Sequence, residues 1–361
     1  MRIVSPFLKR VVYPSLARAR VFRHAAKRGL AIVTYHGILP AGYEPIDAAF
    51  DGNLIGVEMF RRQLRLLKAS YKVITPEDML AWCEGRYVLP ERAVLLTCDD
   101  GLLNNLTDML PILLEEKLRC LFFVTGASTR AERRTLWYED LFRILVRARS
   151  GAFEISCAGM VLQGDLQAVE QRRSLWWNAV KTLSQHAAPA RQKFLQAVRD
   201  HFGFGDKEFD CGSNSASERR FGLLTRSELK ELADAGMTIG AHTLSHPMLS
   251  QLEPELARVE ISESEALLES AIGQRVWAFA YPFGDSQSVS ARVIAQTKEV
   301  GYQAAFLNFG GGLGAALPKH ALPRIHITAE MNLAEFEAHI AGFYASMQRW
   351  AGRHPDEMQV A

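Results

Sequence analysis

Short apolar segments alternate with amphipathic segments along most of the chain, and this alternation constrains the fold more than any other feature. The apolar segments have the length of buried strands, and the amphipathic ones carry apolar residues at helical spacing. Repeated strand–helix units predict a parallel sheet, and roughly seven units favour a closed barrel. The expected fold class is therefore α/β, a distorted (β/α)7-type barrel. The predicted strands lie at 31–35, 71–75, 93–97, 120–124, 237–242, 277–281, 304–306 and 324–327.

The region from about residue 126 to 222 interrupts the alternation. Its segments are predicted to be helical, they are rich in Arg, Gln and Trp, and a polar tract ends the region. We therefore expect a helical insertion at about 126–222 within a barrel that spans 31–345. A basic segment, 1–30, would precede the barrel, and a tail, 346–361, would follow it.

Bulk composition narrows the class of protein. The 361 residues suffice for a large core, and a net charge of +2 implies no nucleic-acid partner. No apolar segment approaches the roughly 18 residues that a membrane-spanning helix needs. The five cysteines are odd in number and scattered, which is typical of reduced thiols and predicts a cytoplasmic protein.

The N-terminal segment has two interpretations. It carries several Lys and Arg residues with interleaved apolar residues and no acidic residue before Glu44. Such a segment fits peripheral contact with the anionic inner membrane through residues 1–30. It fits equally a solvated helix that packs on the domain. It lacks the continuous apolar run of a cleaved signal peptide.

Two adjacent carboxylates, Asp99 and Asp100, follow the apolar strand at 93–97. Burying both at a strand end is costly unless a cation meets them. His242 and His246 follow another predicted strand, and the carboxyl ends of parallel strands meet at one end of a barrel. One carboxylate and two imidazoles make a sound hydrolytic metal site, and the second carboxylate is then free to act as a base.

These residues resemble the motifs of the polysaccharide deacetylases with a NodB homology domain, the carbohydrate esterase 4 type. The family's Thr-Phe-Asp-Asp-Gly motif corresponds to 97–101, Thr-Cys-Asp-Asp-Gly. Its His-Ser/Thr-x-x-His motif corresponds to 242–246. Its Arg-x-Pro-Tyr/Phe-Gly motif corresponds to 280–284, Ala-Tyr-Pro-Phe-Gly. The resemblance covers about 31–330 without the insertion.

The resemblance implies a role for each matching residue. Asp100, His242 and His246 would bind a divalent metal, most often zinc, and Asp99 would be the catalytic base. The segment Tyr281, Pro282 and Phe283 would bind substrate, with the backbone amide of Phe283 contributing to an oxyanion hole. The implied substrate is an N-acetylated glycan.

Two departures from the family pattern require substitutes. Ala280 stands where the third motif has the arginine that orients the base, and Arg324 is the candidate to replace it. The usual C-terminal acid histidine lacks its motif around His326. The segment 34–37, Thr-Tyr-His-Gly, is instead similar to the early histidine motif of the permuted branch that acts on poly-N-acetylglucosamine. His36 is therefore the expected general acid, with His326 in reserve.

The implied reaction is metal-dependent hydrolysis of an N-acetyl amide on a polysaccharide or lipid-linked glycan, with release of acetate. A bound metal polarises the carbonyl and lowers the pKa of its water from about 15.7 toward 7. Hydrolysis of another amide, such as a formamido sugar, would use the same groups. A glycan-binding protein without activity is the alternative from a different class.

Several residues near the motifs are expected to have structural roles rather than a role in the site. Cys98 adjoins the carboxylates, but strand alternation points it away from the face of Asp99 and into the core. Aromatic residues of the insertion could stack on sugars, yet in helices they more often pack in a core or at a subdomain interface, and they are left out of the predicted site. They are Trp137, Tyr138, Trp176 and Trp177.

Overall fold

The computed structural model of the chain describes residues 6–22, 29–205, 215–285, 287–310, 318–343 and 346. Seven parallel strands form a closed barrel that helices surround, which confirms the predicted fold class. The strands in chain order are β1 (Leu30–Tyr35), β2 (Lys72–Ile74), β3 (Ala93–Cys98), β4 (Leu121–Val124), β5 (Ala152–Cys157), β6 (Met160–Asp165), β7 (Thr238–Ala241), β8 (Ala278–Ala280), β9 (Ala304–Gly310) and β10 (Leu322–His326).

Parallel pairing closes the barrel in the order β1, β10, β9, β8, β7, β4, β3 and back to β1. The closing pair aligns Leu30 with Ala93 and Tyr35 with Cys98. The short strand β2 adds to the first half of β3. Because all seven strands run in the same direction, their carboxyl ends meet at one end of the barrel.

Helices connect the strands and cover the barrel. Thr75 caps one of them as its sequence predicts, because its hydroxyl accepts a hydrogen bond from the amide of Asp78 at 3.1 Å. The helices are Tyr13–Arg18, Ala48–Asp51, Val57–Ser70, Pro76–Cys83, Leu110–Glu115, Trp137–Arg147, Val169–Leu183, Ala188–Phe202, Ala216–Phe221, Arg226–Asp234, Pro254–Ile272, Ala291–Val300 and Leu333–Ile340.

Strand residues alternate between two buried apolar sets. Leu95 and Phe123 belong to the set made mostly of strand residues, which fills the barrel. Leu96 and Phe122 belong to the set that includes the surrounding helices. The same alternation directs Asp99 toward the barrel axis, at its carboxyl end.

The insertion contains a β-hairpin, which corrects the expectation that it is wholly helical. Strands β5 and β6 pair antiparallel through their full length. The turn between them, Ala158–Gly159, has φ of 51° and 77°, the left-handed backbone of a two-residue hairpin turn. Ile155 and Leu162 pack into the insertion's own apolar core. The alternation of apolar and polar residues in these two short strands was the signal missed in the sequence.

The described part of the basic segment, 6–22, packs on the domain. Tyr13 and Phe22 are buried in an apolar cluster with Ala338 of the helix Leu333–Ile340. Among the described residues no helix has the length and hydropathy to cross a membrane. Residues 1–5 and 23–28, the tract around Cys211 and the tail from 347 lie outside the described residues.

Candidate active site

The chain turns sharply where β3 ends, and this turn separates the two carboxylates. Asp100 and Gly101 both have φ of 75°, in the left-handed region that aspartate tolerates and glycine favours. A side chain at Gly101 would lie 2.7 Å from Cγ1 of Val124, so only glycine fits. Asp99 is 1% exposed and Asp100 is 4% exposed, so both carboxyl groups are buried.

The loop after β7 carries the two histidines. His242 Nδ1 lies 2.8 Å from the carbonyl oxygen of Ala280, an arrangement that leaves Nε2 free to bind a cation. The amide of His246 donates to Thr243 Oγ1 at 3.0 Å. Thr243 and His246 have φ of 64° and 56°, so the loop holds two side-chain-bearing residues in an uncommon conformation.

The structure brings Asp100, His242 and His246 together. Asp100 Oδ1 lies 3.7 Å from His242 Nε2 and 3.5 Å from His246 Nε2, and one ligand atom from each residue lies within 4.8 Å of the others. No hydrogen bond from a described residue reaches Asp100 Oδ1, although it is buried. An orphaned buried carboxylate oxygen beside two ring nitrogens fits a divalent cation.

The pKa directions agree with a cation site. Burial, and then the charge of Asp99, raise the pKa of Asp100 well above its usual value. Burial lowers the pKa of His242, and burial together with His242 lowers that of His246. Both imidazoles are therefore neutral at neutral pH, which is the form that binds metals.

Arg324 on β10 forms a bidentate ion pair with Asp99. Its Nη1 donates to Oδ1 at 2.7 Å and its Nη2 donates to Oδ2 at 2.6 Å. Nε donates to the carbonyl of Leu307 at 2.6 Å, so the guanidinium has a fixed orientation. Burial alone would raise the pKa of Asp99, but Arg324 and His242 hold it below its usual range. Asp99 therefore stays ionised because of Arg324, and it needs no metal ion as a counter-charge.

His36 and His326 lie beside this pair, with ring centroids 4.8 Å apart. Burial, and then His326, lower the pKa of His36 to about 3, and burial lowers that of His326 to about 4. A histidine that acts as a general acid donates its proton from the imidazolium form. The structure gives a neutral ring, because burial and the neighbouring cationic groups outweigh the charge of Asp99. His36 Nδ1 and His326 Nε2 are buried without a hydrogen-bond partner among the described residues.

In the segment after β8, one side chain lies in the core and the next residues lie at the site. The side chain of Tyr281, predicted to bind substrate, lies in the helix-facing core instead, where its hydroxyl donates to the carbonyl of His320 at 2.9 Å. Pro282 and Phe283 lead the backbone back to the site. Phe283 has φ of 61°, and its ring lies 4.9 Å from that of His246. Its amide donates no hydrogen bond to the part of the chain that the structure describes.

Aromatic residues of the insertion also reach the site, and the sequence reasoning left them out. The ring of Tyr138 lies 5.1 Å from that of His246, and the half-exposed Trp177 lies 6.4 Å from Phe283. Trp137 Nε1 donates to the carbonyl of His246 at 3.2 Å. Their positions in the sequence do not reveal this role, because the docking of the insertion decides which rings meet the barrel end.

Cys98 takes no part in the site. It is buried in the helix-facing core, as alternation predicts, and burial raises the pKa of its thiol. The described cysteines, Cys83, Cys98, Cys120 and Cys157, are free thiols.

Comparison with known proteins agrees with the motifs. A family model described as polysaccharide deacetylase matches residues 165–305, a range that includes both histidines and Phe283 but begins after Asp100. A curated relative from Bacillus subtilis (strain 168), "Putative polysaccharide deacetylase YxkH", is 27% identical over 117 residues, 32% of this chain. These two matches support the resemblance of this chain to the polysaccharide deacetylase family. The match spans 41% of the length of that relative.

Two solved structures share the fold. The deacetylase PplD of Streptococcus pyogenes, solved in complex with acetate, has a TM-score of 0.54 and 17% identity, over 87% of this chain and 99% of its own. IcaB of Ammonifex degensii has a TM-score of 0.53 and 17% identity, over 87% of this chain and 97% of its own. The barrel of this chain thus has the same fold as those two proteins.

Proposed function

We propose that this protein is a polysaccharide deacetylase that removes N-acetyl groups from the amino sugars of a polysaccharide or lipid-linked glycan and releases acetate, with the help of a divalent metal. One observation carries the proposal: Asp100 lies with two neutral histidines, while the adjacent Asp99 is held ionised by Arg324. Asp100 is then available as a metal ligand, and Asp99 is available as a base.

The metal would be held by Asp100, His242 and His246. The donor set of one carboxylate and two imidazoles suits zinc and leaves positions open. A bound zinc ion would polarise the acetyl carbonyl and make water more acidic. The free amide of Phe283 would donate a second hydrogen bond to the carbonyl oxygen as negative charge develops there, a type of contact often worth roughly 3 to 4 kcal/mol.

Asp99 would accept the proton from the attacking water. Each of its oxygens binds Arg324 and retains a lone pair, so the ion pair orients the base and leaves it able to act. The amide nitrogen leaves only after it is protonated. His36, neutral at rest, would take up the proton that Asp99 removes from water and pass it to that nitrogen. The low pKa of His36 makes the protonated ring a strong acid. Water and the amide are thereby converted to acetate and a free amine.

An aromatic surface supports a sugar as the substrate. The rings of Tyr138 and Phe283 lie beside His246, and Trp177, which is 41% exposed, lies 6.4 Å from the ring of Phe283. Flat aromatic rings bury the apolar faces of large ligands at small entropic expense. The surface lies next to the ligand loop, where a sugar bearing the reacting N-acetyl group would have to bind.

The test is acetate release from oligomers of N-acetylglucosamine by the zinc-loaded protein. Asp99→Asn should keep its zinc and lose acetate release by at least about a hundredfold, since a general base contributes 10²–10⁴. The exposed Asp234→Asn serves as the matched control and should leave turnover unchanged.

Absence of acetate from every N-acetylated glycan, with zinc bound, would contradict the proposal. Formate release from formamido sugars in the same assay would support the alternative amide hydrolase. Glycan binding without any turnover would support the inactive homologue.

The cytoplasmic location, with peripheral contact to the inner membrane through residues 1–30, stays a prediction. Fractionation in low salt tests it: a protein recovered wholly in the supernatant would remove the reason to expect membrane contact.

A further inference from the structure

The loop that presents the two histidines has a conformation that it does not favour by itself. Thr243 is β-branched and has φ of 64°, and His246 has φ of 56°. A β-branched residue in this region is a genuine outlier and persists only where its surroundings enforce it. Groups outside the loop must therefore hold it in place.

Arg191, on the helix Ala188–Phe202 of the insertion, reaches this loop. Its Nη2 donates to the carbonyl of Ser245 at 2.9 Å and to Ser245 Oγ at 2.5 Å. Its guanidinium lies over the ring of Trp137 at 5.0 Å, and Trp137 in turn donates to the carbonyl of His246. Two side chains of the insertion thus bind the backbone of two consecutive loop residues.

The insertion's own fold gives no reason for this arginine. Arg191 is 2% exposed, and both of its hydrogen bonds to described residues go to Ser245. Its Nη1 is buried without a partner among those residues. A buried cation with an unpaired donor is destabilising, so an apolar residue would suit the helix better.

The opposite side of the loop is fixed by the barrel. Glu260, on the helix Pro254–Ile272, accepts hydrogen bonds from the amide of Ser245 at 2.9 Å and from its hydroxyl. Ser245 therefore lies between an anion of the barrel and a cation of the insertion. Removal of either partner leaves the other buried and the loop held from one side only.

We propose that Arg191 is a positioning residue through which the insertion holds the His242–His246 loop in its metal-binding conformation. The proposal rests on the proposed metal centre, but not on the identity of the substrate. The insertion then helps to hold the metal ligands in position, in addition to packing on the barrel.

The experiment measures zinc affinity by calorimetry, and the absorption spectrum of the cobalt-loaded protein, for Arg191→Met. We expect about 10- to 100-fold weaker zinc binding and an altered cobalt spectrum, the size of effect seen when groups that orient metal ligands are lost. Arg199→Met is the matched control: it lies in the same helix and donates to Asp140 of the insertion at 3.2 Å, away from the loop. It should bind zinc as the native protein does.

Arg191→Lys keeps the positive charge but lacks the planar guanidinium with its several donors. It should therefore bind zinc with an affinity between those of the native protein and Arg191→Met. Should Arg191→Met fail to fold, Arg191→Lys and Arg199→Met decide alone. Native affinity in both Arg191 variants, or equal losses in Arg191 and Arg199 variants, would overturn the proposal. A native chain that binds zinc but releases no acetate would overturn the proposed function and leave this inference standing; one that binds no zinc would overturn both.

Discussion

Asp99 and Asp100 are neighbours in the sequence, but their surroundings give them opposite ionisation behaviour. Arg324 binds both oxygens of Asp99 and keeps its pKa low although burial would raise it. Asp100 Oδ1 meets only two neutral histidines, and the pKa of Asp100 is raised. A cation placed there would restore the charge of Asp100 without competing for Asp99. Arg324 thus determines which carboxylate is left for proton transfer.

This dependence gives a prediction for Arg324. Arg324→Met should lower kcat about a hundredfold with little change in KM, because Asp99 loses its orientation but the sugar contacts remain. Arg324→Lys should recover part of the loss, since it restores a cation without the bidentate geometry. Steady-state kinetics on the acetylated oligomer measure both. An unchanged kcat in Arg324→Met would contradict the role.

Substrates with different leaving groups test whether His36 is the general acid. On the amide substrate His36→Gln should lose about a hundredfold or more in kcat. On an activated aryl acetate, whose leaving group needs no proton, the same variant should stay within a few fold of the native protein. His326→Gln, whose ring lies 4.8 Å away, is the matched comparison. If His326→Gln shows the leaving-group dependence and His36→Gln does not, the acid is His326.

The motifs predicted which residues approach the site, but not all of their orientations. Alternation could have corrected one: Ala280 belongs to the set that fills the barrel, so its neighbour Tyr281 must face the helices. The pairing of Arg324 with Asp99 joins residues 225 positions apart. Sequence could offer Arg324 as a candidate, but only the closure of the barrel shows that the two meet.

At the scale of elements, the helix Trp137–Arg147 shows why the aromatic surface escaped prediction. Its apolar residues Leu141, Ile144 and Leu145 pack into the insertion's core, as their spacing predicts. Trp137 and Tyr138, in its first turn, lie against the ligand loop instead. Helical periodicity identifies a buried face, but it does not tell which neighbouring element covers it.

The aromatic surface predicts a change in substrate affinity. Trp177→Ala should raise KM about fivefold with kcat nearly unchanged, because an aromatic contact is worth about 1 kcal/mol and Trp177 contacts no metal ligand. Trp177→Phe keeps a flat ring and should fall between the two. A lower kcat at unchanged KM would show that the ring acts on the reaction and not on sugar binding.

The helix Pro254–Ile272, which carries Glu260, also carries a pH-sensitive group. Burial, and then the charge of Glu269, raise the pKa of Glu265 from 4.5 to about 7. Because the folded pKa lies above the unfolded value, the protein loses stability as pH rises from 4.5 through 7. Glu265→Gln should therefore raise the free energy of unfolding at pH 8 by about 1 kcal/mol, a value discounted for the exposed part of the side chain.

Urea unfolding at pH 5 and pH 8 measures this effect. At pH 5 the variant and the native protein should nearly coincide, since Glu265 is already protonated in the folded state. The exposed Glu263→Gln, on the same helix, serves as the control and should show no such pH dependence. An equal gain at both pH values would mean that the charge of Glu265 is not its cause.

At the scale of the whole molecule, both the barrel and the insertion contribute residues to the site. The barrel provides the strand ends that carry Asp99, Asp100 and Arg324, and the insertion has a separate core of its own. Alternating strands and helices predicted the barrel because each unit is local in sequence. The placement of the insertion was not predictable in that way, since it depends on a few long-range contacts such as Arg191 with Ser245.

Zinc should stabilise the whole fold, because its proposed ligands come from two separate strand ends and include a carboxylate that is costly to bury. A ligand that binds only the folded state adds RT ln(1 + [L]/Kd), about 2.7 kcal/mol at a hundredfold excess over Kd. We expect the Tm to rise by several degrees as zinc is added and to return when a chelator removes it. Asp100→Asn should abolish the zinc-dependent rise, because it removes the only carboxylate of the proposed ligand set. A zinc-dependent rise that persists in Asp100→Asn would place the ion elsewhere and remove the basis for the proposed chemistry.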